Sequence, residues 1–115
     1  MNLKDHIIRQ MLFSANAFGP GDREKGVSDH ISKELKEISE AEDKPREWVD
    51  VFLLSLDGFW RAVVAANPEL TRREVAEIIC EIVDEKQGKN ERREWPNRRT
   101  ADPNGAIQHI RGIED

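Results

Sequence analysis

Cysteine occurs once in these 115 residues, at Cys80. A lone thiol excludes an internal disulfide and a multi-cysteine zinc site, and it suits a reducing compartment. Cys80 falls inside an apolar helical run, where a buried structural thiol is expected rather than a nucleophile. Long hydrophobic runs are also missing. The first residues hold no extended apolar stretch, so no secretory leader is expected. The most apolar segment is broken by Asp50, Asp57 and Arg61, which argues against a membrane span. Positive charge is in deficit, 18 Lys and Arg against 23 Asp and Glu, for a net −5. That disfavours nonspecific duplex binding, and no nucleic-acid partner is expected. No internal repeat or low-complexity run appears.

What is present supports one all-α domain over residues 1–115, with a core at about 3–88 and a tail over 89–115. Charged residues make up 36% and apolar residues 37%, enough for a modest core. Leu3–Ala17 reads as a first helix with Ile7, Ile8, Met11, Leu12 and Ala15 on its apolar face; Phe13 belongs to the core or to an oligomer contact. Ser28 is a good N-cap for a second helix from Asp29, with Ile31, Leu35 and Ile38 as its stripe. Glu42, Asp43 and Lys44 form a break. Pro45 then opens a third helix that runs to Ala66 and stops at Asn67-Pro68. Thr71 and Glu74 make a capping box for a fourth helix with Val75, Ile78, Ile79, Ile82 and Val83 buried, ended by Gly88. A helix-turn-helix in LTRREVAEII is discounted, because Glu77, Glu81, Asp84 and Glu85 would repel phosphate. The third helix is apolar nearly all round, so burial against a second copy is expected, as a homodimer or homotetramer.

The chemistry gathers between Ser28 and Asp57. A short link forces the second and third helices antiparallel. Glu37 then lies about as far before the turn as Glu47 lies after it, and Glu34 likewise matches Asp50. Four carboxylates sharing a site repel one another. A hard cation with oxygen ligands removes that cost, and Mg²⁺ keeps positions open for water and phosphates. Spacing alone leaves a solvated acidic face equally open. The apolar neighbours of Asp50, from Trp48 to Leu56, favour the metal reading, since a carboxylate among them needs a partner. Asp57, two turns on, extends the acidic line and is a candidate to support the ligands from behind.

Phe18-Gly19-Pro20-Gly21 is a loop. Arg23 and Lys25 then lead into a helix N-terminus, which can serve as a phosphate approach, though from the residues alone a mobile surface loop is the favoured reading. His30, one turn before Glu34, either touches phosphate or stays solvated. Past Glu85 the charge turns positive at Lys86, Lys89, Arg92, Arg93, Arg98 and Arg99. Such a basic tail is either a solvated end or a clamp for an anionic ligand. Trp95 is placed to pack the tail down, and Ile107 and Ile110 to dock, with a short helix at most after Thr100.

ExxE followed by ExxD across a helical hairpin resembles the MazG-like all-α nucleoside triphosphate pyrophosphohydrolases. FGPGDREKGVSDHISKEL, EWVDVFLLSLDGFWR and KNERREWP resemble the dATP/dGTP diphosphohydrolase branch, common in phages and prophages. The likeness runs from about Asn16 to Arg111. It implies a four-helix bundle with an irregular basic C-terminal tail, oligomeric, in a bacterial or phage-infected host cytoplasm. It implies Glu34, Glu37, Glu47 and Asp50 as ligands of Mg²⁺, for which Mn²⁺ can substitute. One departure concerns the two adjacent glutamates that often begin the motif: the first is Lys33 here. The resemblance places Lys86, Lys89, Asn90 and Arg93 in a phosphate-binding signature, to which Arg23, His30 and Lys33 are added as candidates. Asn16 and Phe18 become candidates for base contacts.

The expected reaction is Mg-dependent hydrolysis of purine deoxynucleoside triphosphates to a monophosphate and pyrophosphate. Water attacks the α-phosphorus in line, oriented or deprotonated by Glu37 or its neighbour Glu34. Cations in the tail neutralise the leaving pyrophosphate. Two alternatives stay open: a pyrimidine or dUTP-directed hydrolase of the same superfamily, and a noncatalytic helical interaction protein.

Overall fold

Backbone caps divide the chain into four helices. The computed structural model describes residues 1–111, so the last four positions of the expected tail lie outside the described residues. The elements are α1 (Leu3–Phe18), α2 (Glu24–Ile38), α3 (Lys44–Ala66) and α4 (Arg72–Arg92), packed as a bundle. There is no strand among the described residues.

The Asn2 side chain accepts from the Asp5 N–H to start α1, and Gly19, at φ 86°, ends it. That positive φ is open to glycine and costly for other residues. The Asp43 carboxylate accepts from the Arg46 N–H at the head of α3, with Pro45 in its first turn as expected. Thr71 and Glu74 close the expected capping box, each backbone N–H donating to the other's side chain at 3.0 and 3.1 Å.

Two boundaries differ from expectation. α2 begins a turn early, at Glu24, so Ser28 lies within the helix and does not cap it. Asp22 Oδ1 accepts from the Glu24 N–H at 2.9 Å and supplies the start signal instead. The early turn places Val27, which is buried, against α3. A Cβ on Gly58 would stand 3.4 Å from Val27 Cγ1, so the two helices approach closely where these residues meet. α4 also continues through Gly88 to Arg92. A single interior glycine costs only about 1 kcal/mol, and no residue before Pro96 forbids the helical turn.

The chain forms two compact units, Met1–Glu81 and Ile82–Asp115. In the first, Ile7, Met11, Leu56, Trp60, Val63, Val75, Ala76 and Ile79 make the core, and Cys80 packs half-buried against it. Apolar residues outside this set explain where periodicity misled. Leu12 is 49% exposed and Leu35 48%. Ile82 and Val83, expected inside, are exposed as well. Trp48, Val49 and Phe52 are about half exposed, and Asp50 among them is exposed rather than enclosed. The apolar neighbours therefore do not bury Asp50 within one chain.

The second unit ties its own tail. The Trp95 Nε1–H donates to Asn90 O at 2.7 Å, and its ring meets His109 edge-on at 5.8 Å. The Ile110 N–H donates to Glu94 O at 2.7 Å. Trp95 thus packs the tail as expected, in turns without a helix. Ile107 and Ile110 remain about half exposed.

Candidate active site

Residues 39–43 join α2 to α3. Lys44 closes the hairpin, its ammonium donating to Ile38 O and Ser39 O at 2.9 and 3.2 Å. A cation on the last carbonyls of α2 also favours the negative end of that helix. The short antiparallel turn brings Glu34 and Glu37 of α2 to Glu47 of α3. One carboxylate oxygen from each lies within 4.8 Å of the others.

Glu34 and Glu47 are half-buried and Glu37 exposed, and the Glu34 side chain is 16% exposed. Its Oε1 stands 3.4 Å from His30 Nε2, while Oε2 is buried without a hydrogen-bond partner. Burial first, then repulsion from Glu37, Asp50 and Glu47, pushes the Glu34 carboxyl above its ordinary 4.5, against a smaller opposing pull from His30. An orphaned buried carboxylate oxygen between two more carboxylates fits a divalent cation, which would satisfy the oxygen and offset the repulsion.

Asp50 is not in the close trio but acts on Glu34 electrostatically. It also shares a pocket of about 210 Å³ with His30 and Glu34. The apolar part of that pocket is Phe13, Phe18, Leu53 and Leu54, and Gln10 and Asp57 complete it. Phe18 and Phe13 meet edge to face at 6.2 Å, and the Arg23 guanidinium lies 5.1 Å from the Phe18 centroid. Phe18 thus lines the same pocket as Glu34 and Asp50. Asn16, in the last turn of α1, is exposed and does not line the pocket.

The loop before α2 is held from α3. Arg61 Nη1 donates to Gly19 O and Gly21 O at 2.8 and 2.9 Å. Its Nε donates to Asp57 Oδ1 at 3.1 Å, and Trp60 Nε1 bonds both Ser14 and Asp57 at 3.0 Å. The anchoring roles of Ser14, Trp60 and Arg61 were not legible in sequence, because they depend on α1 crossing α3. The one available signal was Asp57 four residues before Arg61, the spacing of a helical ion pair.

Lys33 Nζ pairs with Asp29 at 3.3 Å on the solvent side, both side chains about 70% exposed. Lys86 and Lys89 are exposed. The Asn90 side chain accepts from Arg93 Nη1 at 3.0 Å.

Over residues 7–112 the chain matches the family described as dATP/dGTP pyrophosphohydrolase. It belongs to that family. The dATP/dGTP pyrophosphohydrolases are MazG-like, all-α nucleoside triphosphate diphosphatases, and the activity of this chain is dATP/dGTP pyrophosphohydrolysis. No curated protein and no solved structure matches it. The family is metal-dependent as a rule, in keeping with the acid trio. No helix among the described residues is long and apolar enough to cross a membrane.

Proposed function

We propose that Glu34, Glu37 and Glu47, with Asp50 beside them, hold Mg²⁺, or Mn²⁺ in its place, against the phosphates of dATP or dGTP. The observation carrying this reading is Glu34 Oε2, buried and unpartnered beside two further carboxylates. When bound, the cations supply charge neutralisation for the phosphates and ease deprotonation of the attacking water. The chain's own groups do the rest. Glu37, the exposed member of the trio, takes the water's proton as it attacks the α-phosphorus. His30, at 3.4 Å from Glu34 Oε1, steadies Glu34 so that Oε2 faces the ligand. Phe18 offers a ring face to the base and Arg23 a cation beside it. The products are the deoxynucleoside monophosphate and pyrophosphate.

The phosphate contacts assigned by resemblance to Lys86, Lys89, Asn90 and Arg93 are tested by their own alanine variants. Self-association as a dimer or tetramer is supported by the exposed Trp48, Val49 and Phe52. A phage or bacterial cytoplasm suits the single free thiol.

Pyrophosphate release across ribo- and deoxynucleoside triphosphates, with Mg²⁺ and with Mn²⁺, tests the reading. Activity on dATP and dGTP that disappears in Glu37→Gln and Asp50→Asn is expected. Activity that survives in both variants removes the acid cluster as the site.

A further inference from the structure

Asp57 is a charged side chain with half of its binding capacity unused. It is 2% exposed. Oδ1 receives the Trp60 Nε1–H at 3.0 Å and the Arg61 Nε–H at 3.1 Å. An arginine usually closes on both carboxylate oxygens as a fork. Here the remaining Arg61 nitrogens turn away, Nη1 to Gly19 O and Gly21 O and Nη2 to Ser14 O. Oδ2 is buried without a hydrogen-bond partner. The Arg23 Nη1 stands 4.0 Å from it, beyond hydrogen-bonding reach. A buried carboxylate oxygen without a hydrogen bond carries a desolvation cost that the distant Arg23 charge offsets only in part. Support of the Gly19–Gly21 loop needs only the oxygen already engaged.

The pocket supplies a reason for the open oxygen. Asp57 lines the same 210 Å³ space as Glu34, Asp50, Phe13 and Phe18. Along α3 it lies seven residues beyond Asp50, about 10.5 Å at the helical rise. A nucleotide whose phosphates lie at the acids extends its base along that direction, past the sugar and against the phenylalanines. We propose that Asp57 reads the base, with Oδ2 accepting a hydrogen bond from the outer edge of a purine. This assignment rests on the nucleotide reading above and adds a specificity-determining residue to it.

A carboxylate offers acceptors only, so the base must bring the donor. Adenine brings its N6 amine, and guanine its N1–H and N2 amine. One acceptor therefore serves both purines. A pyrimidine edge lies nearer the sugar and leaves Oδ2 unanswered.

The test compares base analogues on the unmodified enzyme. With Mg²⁺, kcat/KM is measured for dATP, for the deoxynucleoside triphosphate of unsubstituted purine, which has no edge donor, and for that of 2-aminopurine, which regains one. Loss of one hydrogen bond to a charged acceptor predicts a drop of about ten- to a hundred-fold for the donor-free base, with recovery for 2-aminopurine. Asp57→Asn, checked for folding by its thermal melt, should narrow the ratio between dATP and the donor-free analogue. If that variant does not fold, the analogue series decides alone. Equal hydrolysis of dATP and the donor-free analogue overturns the assignment while leaving the enzyme reading intact. So does a loss that appears only with a 3′-deoxy sugar, which would give Oδ2 to the sugar hydroxyl. Silence with every triphosphate overturns both readings.

Discussion

Glu34 is costly to ionise in the bare protein, because burial and three neighbouring acids oppose its charge. Glu34→Gln should therefore fold at least as well without metal as the parent does. It should lose the rise in melting temperature on adding Mg²⁺ with nucleotide, and kcat/KM should fall by more than about a hundred-fold. A thermal-shift series read beside pyrophosphate release checks both halves. Arg61 behaves in the opposite way. It pairs with Asp57 in a site where both side chains are at most 4% exposed. Arg61→Met leaves that carboxylate with the Trp60 N–H and the more distant Arg23 alone and should cost about 3 kcal/mol, measured by urea unfolding. The approach of Glu34 and Glu37 to Glu47 was legible from spacing, because helical periodicity sets which residues share a face. The orphaned oxygens of Glu34 and Asp57 were not, since their solvation depends on side chains distant in sequence.

At the scale of the element, α4 shows both strong and weak local signals. Its start was legible, as the Thr71–Glu74 box satisfies backbone N–H groups within four residues. The Thr71 backbone N–H, then its hydroxyl, holds the Glu74 carboxyl below its ordinary 4.5. A carboxyl depressed on folding contributes stability above that value and loses it as pH falls through the lowered one. Thr71→Ala should cost about 1 kcal/mol near neutrality, with the gap to the parent narrowing in acid but not closing, because the lost bond from the Glu74 N–H to the hydroxyl does not titrate, as followed by melts over a pH series. The end of α4 was misread because a glycine is a stop only where the chain needs a left-handed turn. Gly88 takes none: Gly19 and Gly21 are the positive-φ residues among those described. Gly88→Ala should raise stability by about 0.5–1 kcal/mol, since the nearest obstacle is the movable guanidinium of Arg92 at 3.2 Å. α2 was misread at its start, where the Asp22 side chain decides over Ser28.

For the molecule as a whole, the exposed apolar residues of α3 carry the outstanding question. Trp48 and Phe52 lie one turn apart, each more than half exposed, as expected of a face that a second copy covers. Light scattering on a sizing column should give a dimer or larger, and Phe52→Glu should shift it toward monomer. A monomeric parent would remove the oligomer from the proposal. The amino-acid order by itself determined that the chain is helical, where three of its turns fall, and that ExxE faces ExxD. Those properties follow from 3.6-residue periodicity, cap chemistry and a link too short to allow anything but a hairpin. Only the tertiary structure decided which carboxylate is buried, that Asp50 stands outside the close trio, and that Arg61 and Trp60 fasten α1 and its loop to α3. Burial and hydrogen-bond satisfaction belong to the meeting of elements far apart in sequence, and no single stretch of the chain specifies them.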